Sequence, residues 1–205
     1  AIGAIVDGCP PGVEISTADI QLFLDRRKPG TSDLVTPRRE SDLVEILSGV
    51  FEGRTLGTPI GLLIRNESAR SSDYDQLREV FRPGHADRMF FEKYGIRDHR
   101  GGGRSSGRET AGRVAAGAIA ALCLNKRKIS IAGKIVEIHG ESDPELFEKE
   151  IREARDKGDS VGGIVSLTIT GCPSGLGDPV FGKLDSLLAG ALMGIGGVKG
   201  IEIGS

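Results

Sequence analysis

The chain has 205 residues and a formal net charge of −2, and 38% of its residues are hydrophobic. This length and composition are typical of a soluble globular protein, and the lack of an apolar run of about 20 residues in the sequence argues against a bilayer-spanning segment. The widely spaced cysteines Cys9, Cys123 and Cys172 favour free thiols in a reducing compartment over disulfides or a metal site. We therefore expect a cytoplasmic protein with no membrane partner and no bound metal.

Hydrophobic spacing and turn residues predict the following elements in chain order. The first half is predicted to contain a strand over Ile2–Val6, a helix over 18–27 capped by Ser16 or Thr17, a loop over 28–39, two strand-like runs over 43–50 and 58–64 joined as a hairpin, and a short helix over 74–77. The second half is predicted to contain a helix that follows Ser106 and ends near Leu124, a strand over 129–138, a helix over 144–157, a strand over 161–170, and a helix over Leu184–Met193.

One turn sequence occurs twice. The pattern G-C-P-x-G-hydrophobic stands at 8–13 and again at 171–176, each time between a predicted strand and a predicted helix. Two strand–turn–helix units in one chain indicate an internal repeat. We predict an α+β fold with pseudo-twofold character, forming a single domain over residues 1–205. Because both termini lie in strand-like stretches, we expect that domain to be incomplete at both ends.

The positive charge is concentrated in residues 78–113, which we call the cationic segment. It holds eight arginines and one lysine against five acidic residues, whereas the rest of the chain is net acidic. The glycine run 101–103 is expected to open a helix, with Ser106 and Glu109 as its capping box. Backbone N–H groups at such a helix start suit an anion, and Arg104 and Arg108 flank it. The pattern predicts a phosphate site.

Three other interpretations of this segment were weighed. Residues 102–109 nearly match a nucleotide-binding P-loop, but Arg108 stands where lysine belongs, and a polar stretch precedes the loop where a buried strand belongs. Single-strand nucleic-acid binding normally interleaves aromatic platforms with arginines, and a sequence pI of about 6.0 argues against it. A solvated basic loop followed by a capped helix is the third alternative.

His85 lies on a predicted Pro-Gly turn rather than on an apolar face, so a role in a hydrophobic core is less expected than usual. Neighbouring arginines favour its neutral form, whereas Asp87 or a bound phosphate favours the protonated form. A histidine poised in this way is suited to donate a proton near neutral pH. His139, by contrast, follows a predicted strand with no companion charge, and we interpret it as structural.

The chain resembles the chorismate synthase family over nearly its whole length. The resemblance is carried by LDRRKPGTSD (24–33), PRRESD (37–42), LSGVFEGRTLGTPIGLLI (47–64), RPGHAD (82–87), KYGIRDHRGGGRSSGRETAGRVAAGAIA (93–120) and VKGIEIG (198–204). It implies a β-α-β sandwich with internal pseudo-symmetry that assembles as a homotetramer. It also implies a carbon–oxygen lyase that uses reduced FMN in a 1,4-anti elimination of phosphate from 5-enolpyruvylshikimate 3-phosphate, giving chorismate with no net redox change. NADPH enters only as a source of reducing equivalents.

The resemblance assigns roles to particular residues. His85 matches the family histidine that protonates the reduced flavin. The implied flavin contacts are Arg104, Ser105, Ser106 and Arg27. The implied contacts to the substrate's phosphate and carboxylates are Arg27, Arg39, Arg82 and Arg108.

The sequence also departs from the family pattern. The family's G-E-S-H-G histidine is expected before Ala1, and its R-S-D segment, with an aspartate near the flavin, is expected after Ser205. The region 140–145 is shorter than expected, as if a loop were missing. Asp33 stands where many members have arginine, and Gly107 where alanine is commoner. We therefore interpret the sequence as the N-terminal and central part of such a protein.

Overall fold

The computed structural model describes residues 1–30, 32–35, 40–66, 71–101 and 103–204. Two compact units are formed, one from Ala1–Ser68 and Ala111–Gly171, and the other from Ala69–Thr110 and Cys172–Ser205. The strands are β1 (Ile2–Val6), β2 (Val44–Ile46), β3 (Val50–Phe51), β4 (Arg54–Thr55), β5 (Ile60–Ile64), β6 (Ser130–Ile138) and β7 (Gly163–Thr170). The α-helices are α1 (Thr17–Arg27), α2 (Asp87–Tyr94), α3 (Thr110–Lys126), α4 (Phe147–Asp156) and α5 (Leu184–Met193). Three 3-10 helices cover Ser71–Leu77, Gly103–Ser105 and Gly107–Glu109.

The first unit contains a three-stranded antiparallel sheet in the order β1-β5-β2. Along the central strand β5, burial alternates with a period of two, so that Ile60, Leu62 and Ile64 are buried. The strands β2 and β5 pair with Val44 opposite Ile64, and β3 and β4 form a small ribbon between them in sequence. The predicted hairpin over 43–64 is therefore confirmed, with an additional two-stranded turn at its end.

Two helices supply much of the rest of this core, together with Cys9, Val13 and Ile15 from the chain after β1. Helix α1 buries Ile20 and Leu24, and helix α3 buries Ile119 together with a row of small residues. At Gly112 an added Cβ would lie only 3.2 Å from the backbone oxygen of Gly3, so the small residues allow close approach of α3 to the sheet. Ser16 caps α1 as predicted, in a complete capping box with Asp19.

The strands β6 and β7 form a separate antiparallel ribbon with a β-bulge between Ile135 and Glu137. Its connection contains His139, whose Nδ1 lies 2.9 Å from Oε2 of Glu150 on α4. The expectation that His139 has no companion charge was wrong, because the partner lies eleven residues further along the chain. A tight turn joins Ile138 to Glu141, and the prediction of a missing loop near 140–145 stays a prediction.

The two copies of the G-C-P-x-G turn have matching backbone conformations. The first glycine of each copy has a positive φ, 76° at Gly8 and 73° at Gly171, and so does the second, 78° at Gly12 and 86° at Gly175. Only glycine adopts this region without strain, which explains the recurrence of glycine at both positions. With a strand before and a helix after each turn, the α+β class is confirmed. The prediction of a single domain over residues 1–205 stays a prediction.

Candidate anion-binding site

Asp87 is the centre of the described part of the cationic segment. It is the first residue of α2 and is only 1% exposed. Its carboxylate lies 3.2 Å from Nη1 of Arg97, 3.5 Å from Nε of Arg82 and 3.4 Å from Nδ1 of His85. A buried carboxylate is stable only when charges or hydrogen-bond donors compensate it, and here basic side chains surround it.

Arg97 connects this carboxylate to the preceding chain. Its Nη2 lies within hydrogen-bond distance of three backbone oxygens, those of Leu77 (2.6 Å), Arg78 (2.9 Å) and Val80 (3.0 Å). The guanidinium also lies over the ring of Phe81, 4.6 Å from its centroid. A planar guanidinium can donate hydrogen bonds to a carboxylate and to carbonyl groups while its face stacks on an aromatic ring. Arg97 therefore fixes the segment that leads to His85.

The electrostatics of Asp87 follow from these contacts. Burial acts to raise the pKa of Asp87, but a hydrogen bond from the Arg82 backbone and the nearby charges of His85 and Arg82 outweigh it. The net effect lowers the pKa of Asp87 below its ordinary value. Asp87 is thus a carboxylate at neutral pH and balances part of the charge of the arginines.

His85 lies on the predicted Pro-Gly turn, which is confirmed by a backbone hydrogen bond of 3.2 Å from His85 to the Arg82 carbonyl and by a φ of 69° at Gly84. Two donors face its Nδ1: Nη2 of Arg82 at 3.1 Å and the backbone N–H of Asp87 at 3.2 Å. A ring nitrogen that accepts hydrogen bonds carries no proton, so the neutral imidazole is protonated at Nε2. The side chain is 23% exposed, so Nε2 can form a hydrogen bond to a ligand.

The guanidinium groups of Arg82 and Arg108 are partly enclosed. Nε of Arg82 is buried and makes no hydrogen bond within the described part of the chain, its carboxylate neighbour lying at 3.5 Å. Nε and Nη1 of Arg108 are buried as well. Charged donors withdrawn from water in this way are suited to hold an anion strongly.

The predicted helix after Ser106 is confirmed, since helical residues run without a break from Gly107 to Lys126, but its first turn is 3-10 and the glycine run leads into a separate 3-10 turn. Two short 3-10 helices, Gly103–Ser105 and Gly107–Glu109, intervene, and α3 begins at Thr110. The hydroxyl of Ser106 accepts a hydrogen bond of 3.3 Å from the backbone N–H of Arg108, two residues on rather than three. A 3-10 turn is tighter than a turn of α-helix, and Gly103 has a positive φ of 50°, which glycine adopts without strain.

The remaining predicted flavin contacts differ in exposure. The side chain of Arg104 is 78% exposed, with Nη1 4.0 Å from Glu109, whereas Ser105 and Ser106 are half-buried. The structure therefore brings His85 and Arg82 into contact, and it places Arg104, Ser105, Ser106 and Arg108 together in consecutive turns of the same unit.

Arg27 belongs to the first unit, in the last turn of α1. Its Nη1 is 3.0 Å from Oδ2 of the fully buried Asp42.

Asp33 accepts a 2.6 Å hydrogen bond from Nη2 of Arg152, which lowers the pKa of Asp33. The negative charge at this position is thus paired within the unit. Arg39 lies outside the described residues.

Two residues of this cluster were missed or undervalued by sequence reasoning. The sequence pattern predicts no role for Arg97 and indicates Asp87 only as a neighbour of His85. The acid–base spacing of ten residues between them is not a recognised pattern, and only their burial shows their importance.

Among the described residues, no group of three or more His, Cys, Asp or Glu side chains is arranged to hold a metal ion. In the same part of the chain, no helix has the length and apolar character required to cross a membrane.

The fold and the site together define an α+β protein with an arginine- and histidine-rich segment suited to a small anionic ligand. The family model for chorismate synthase matches residues 1–205, and the chain belongs to the chorismate synthase family. It is 54% identical over 228 residues to chorismate synthase of Syntrophus aciditrophicus, and 52% identical over 225 residues to that of Syntrophobacter fumaroxidans. Each match covers 100% of this chain and 64% of the relative, so the chain spans slightly less than two thirds of their length.

A solved structure described as a crystal structure of chorismate synthase is similar as well. Its TM-score is 0.78 at 31% sequence identity, and the match covers 98% of this chain and 64% of that one. The predicted family and the α+β fold class are therefore both confirmed. The assignments of individual site residues stay predictions.

Proposed function

We propose that this chain serves the chorismate synthase reaction, a carbon–oxygen lyase step in the shikimate route to aromatic amino acids. In that reaction phosphate is eliminated in a 1,4-anti manner from 5-enolpyruvylshikimate 3-phosphate, which gives chorismate, with reduced FMN as cofactor. The family membership over residues 1–205 supports this proposal. The observation that carries it is the contact of Arg82 with His85, beside a buried guanidinium nitrogen, in the cationic segment.

The substrate has one phosphate and two carboxylates, so a site for it requires several fixed cations. Arg82, Arg108, Arg27 and Arg39 are proposed to bind these anions. Guanidinium forks hold phosphate and carboxylate through paired hydrogen bonds, and they hold them more strongly where water is excluded. The developing charge on the departing phosphate would then be stabilised most, which lowers the barrier to its elimination.

Reduced FMN fits the chemistry of the same segment, because its phosphate and its partly anionic ring require cationic and hydroxyl donors. Arg104, Ser105, Ser106 and Arg27 are proposed to hold it. The exposed guanidinium of Arg104 and the half-buried serines are donors of this kind. The elimination requires the bound flavin in its reduced form, although the overall reaction involves no net redox change. NADPH would act only as the source of reducing equivalents.

His85 is proposed to supply a proton from Nε2. Arg82 and the backbone N–H of Asp87 lie at Nδ1, which fixes the ring orientation and leaves Nε2 available. The proton is given by the imidazolium form, which loses it from Nε2 and becomes a neutral ring, and the Asp87 carboxylate lies 3.4 Å from Nδ1 of that charged donor. The complete enzyme is further proposed to be a cytoplasmic homotetramer.

The experiment that tests this function is an anaerobic titration of the full-length natural protein with reduced FMN and 5-enolpyruvylshikimate 3-phosphate. We expect a flavin absorbance change that requires both ligands, and release of one phosphate per chorismate formed. His85→Ala should lower turnover by about 10²–10⁴-fold if the imidazole donates a proton. A protein that is indifferent to flavin and makes no chorismate would refute the proposal.

A matched pair of arginine variants separates the site from general charge effects. Arg108→Lys retains the charge but loses the guanidinium fork, so we expect turnover to fall. The control is Arg88→Lys, which makes the same exchange of guanidinium for ammonium on α2. The Arg88 side chain is 63% exposed and pairs with Glu92, so this substitution should leave turnover unchanged. Equal activity of both variants with the wild type would show that charge alone is needed. Tight binding of nucleic acid that weakens steeply with salt would instead favour the nucleic-acid-binding alternative.

A further inference from the structure

Two cysteines far apart in sequence meet in the first unit. Cys9 lies in the turn after β1 and Cys123 on α3, and their Sγ atoms are 3.6 Å apart. Cys9 is 7% exposed and Cys123 is half-buried. The proposed elimination reaction uses neither residue.

The two sulfur atoms are in contact but not bonded. An S–S bond is about 2.05 Å long, so the two sulfur atoms need to approach each other by about 1.5 Å. The turn that carries Cys9 is bounded by Gly8 and Gly12, and both of these glycines have positive φ with open space around the Cβ position. The backbone on either side of Cys9 therefore has freedom to adjust as the two sulfur atoms approach each other.

A pocket of about 500 Å³ gives access to the pair from outside. Apolar residues, among them Val6 and Ile119, form part of its lining, together with both cysteines. Lys126 and Arg127 lie at the same pocket. A small molecule with a negative charge is attracted by these two cations and can reach Cys123, the more exposed of the two thiols.

We propose that Cys9 and Cys123 form a reversible dithiol–disulfide site that reacts with anionic low-molecular-weight disulfides. The Cys123 thiolate attacks one sulfur of the small disulfide, and a mixed disulfide forms as the first small thiolate leaves. The Cys9 thiolate then attacks Sγ of Cys123, the protein disulfide forms, and the second small thiolate leaves. The protein loses two electrons and two protons, and the small disulfide is reduced to two thiols.

The surroundings of the pair also set its rate. Burial, followed by the contact with Cys9, raises the pKa of Cys123, against the opposing effect of Arg127 and Lys126. Since the thiolate is the reactive form, the Cys123 thiol reacts slowly at neutral pH and faster in mild alkali. The exposed Cys172 provides an internal reference for the reactivity of a surface thiol.

The test uses the full-length natural protein, equilibrated with mixtures of reduced and oxidised glutathione, quenched with acid, alkylated and analysed by peptide mass mapping. We expect a peptide pair linked through Cys9 and Cys123, while Cys172 carries glutathione or remains free. The linked pair should disappear on addition of dithiothreitol. Reaction of Cys172 without any Cys9–Cys123 link at the same glutathione ratios would overturn the proposal, and so would a link that forms only in denaturant.

Three variants define the order of events. Cys9→Ser should accumulate a stable mixed disulfide at Cys123, because the resolving thiol is missing. Cys123→Ser should leave Cys9 unmodified, and Cys172→Ser should leave the internal link unchanged. Glutathione on Cys9 rather than Cys123 in these variants would contradict the assigned order. If Cys9→Ser does not fold, the wild-type peptide map still decides whether the disulfide forms.

Discussion

The carboxylate of Asp87 and the guanidinium of Arg97 form a buried ion pair, with 3.2 Å between Oδ2 and Nη1 and side chains 1% and 8% exposed. Through it, the start of α2 and the backbone at Leu77, Arg78 and Val80 are joined to one arginine. The turn that carries His85 lies between these two anchored points in sequence. The position of the proposed proton donor therefore depends on a pair of residues that do not themselves need to touch a substrate.

Asp87→Asn should destabilise the protein by about 3 kcal/mol, because removal of one partner leaves buried arginine charge uncompensated. Equilibrium unfolding in urea measures this change. Glu92→Gln is the control: it removes a carboxylate from the same helix, but from an exposed pair with Arg88, and should cost less than about 0.5 kcal/mol. Equal effects of the two substitutions would contradict the central role of Asp87.

The lowered pKa of Asp87 predicts a pH dependence of stability. An aspartate has a pKa of about 3.9 in the unfolded chain, and that of folded Asp87 is lower, so the unfolded state binds more protons between the two values. Its contribution is complete above about pH 3.9 and is lost as the pH falls through the folded pKa. Urea unfolding of the wild type and Asp87→Asn at a series of pH values should give free energies that converge in acid. A difference that stays constant down to the lowest accessible pH would exclude this linkage.

The tautomer of His85 can be measured directly. Because two donors face Nδ1, long-range ¹H–¹⁵N correlation spectra recorded at a pH where the ring is neutral should show Nε2 as the protonated nitrogen. Arg82→Ala removes one of the donors and should increase the population of the Nδ1-protonated form. A wild-type spectrum dominated by that form would show that the ring is turned the other way.

The two serine caps should differ in strength. Ser16 caps α1, a helix of eleven residues, with both arms of a capping box, whereas Ser106 makes a single bond of 3.3 Å at the 3-10 turn that leads into α3. Ser16→Ala should therefore cost about 1 kcal/mol and Ser106→Ala about half of that in urea unfolding. A larger loss at Ser106 than at Ser16 would indicate that Ser106 stabilises more than the local turn.

Two glycines of α3 should respond differently to alanine. Gly117 is exposed with open space around its Cβ position, so Gly117→Ala should stabilise the protein by about 0.5–1 kcal/mol through helix propensity. Gly112→Ala would place a Cβ 3.2 Å from the Gly3 oxygen and 3.4 Å from Cγ2 of Ile2, which offsets that gain. Thermal unfolding of the two variants compares them, and a more stable Gly112→Ala protein would show that the sheet yields at this point.

The sequence by itself determined the features that depend on neighbours along the chain. The strand at Ile2–Val6, the cap at Ser16 and the helix at Leu184–Met193 follow from short-range spacing and local hydrogen bonds, and the structure has them where the pattern predicts them. The motifs RPGHAD and GGGRSSGRET likewise identify the family, because they are runs of consecutive residues.

Only the tertiary structure determines the features that depend on contacts between distant parts of the chain. The short 3-10 turns after the glycine run, the burial of Asp87 and the engagement of Arg97 with three carbonyls depend on which donors the folded chain brings to one place. The contact between Cys9 and Cys123 spans 114 positions and requires α3 to pack beside the turn after β1. Charge and spacing along the sequence limit which residues can bind an anion, but packing determines which of them are withdrawn from water. Electrostatic interactions are stronger away from water, so burial determines how strongly these residues interact with a charged ligand.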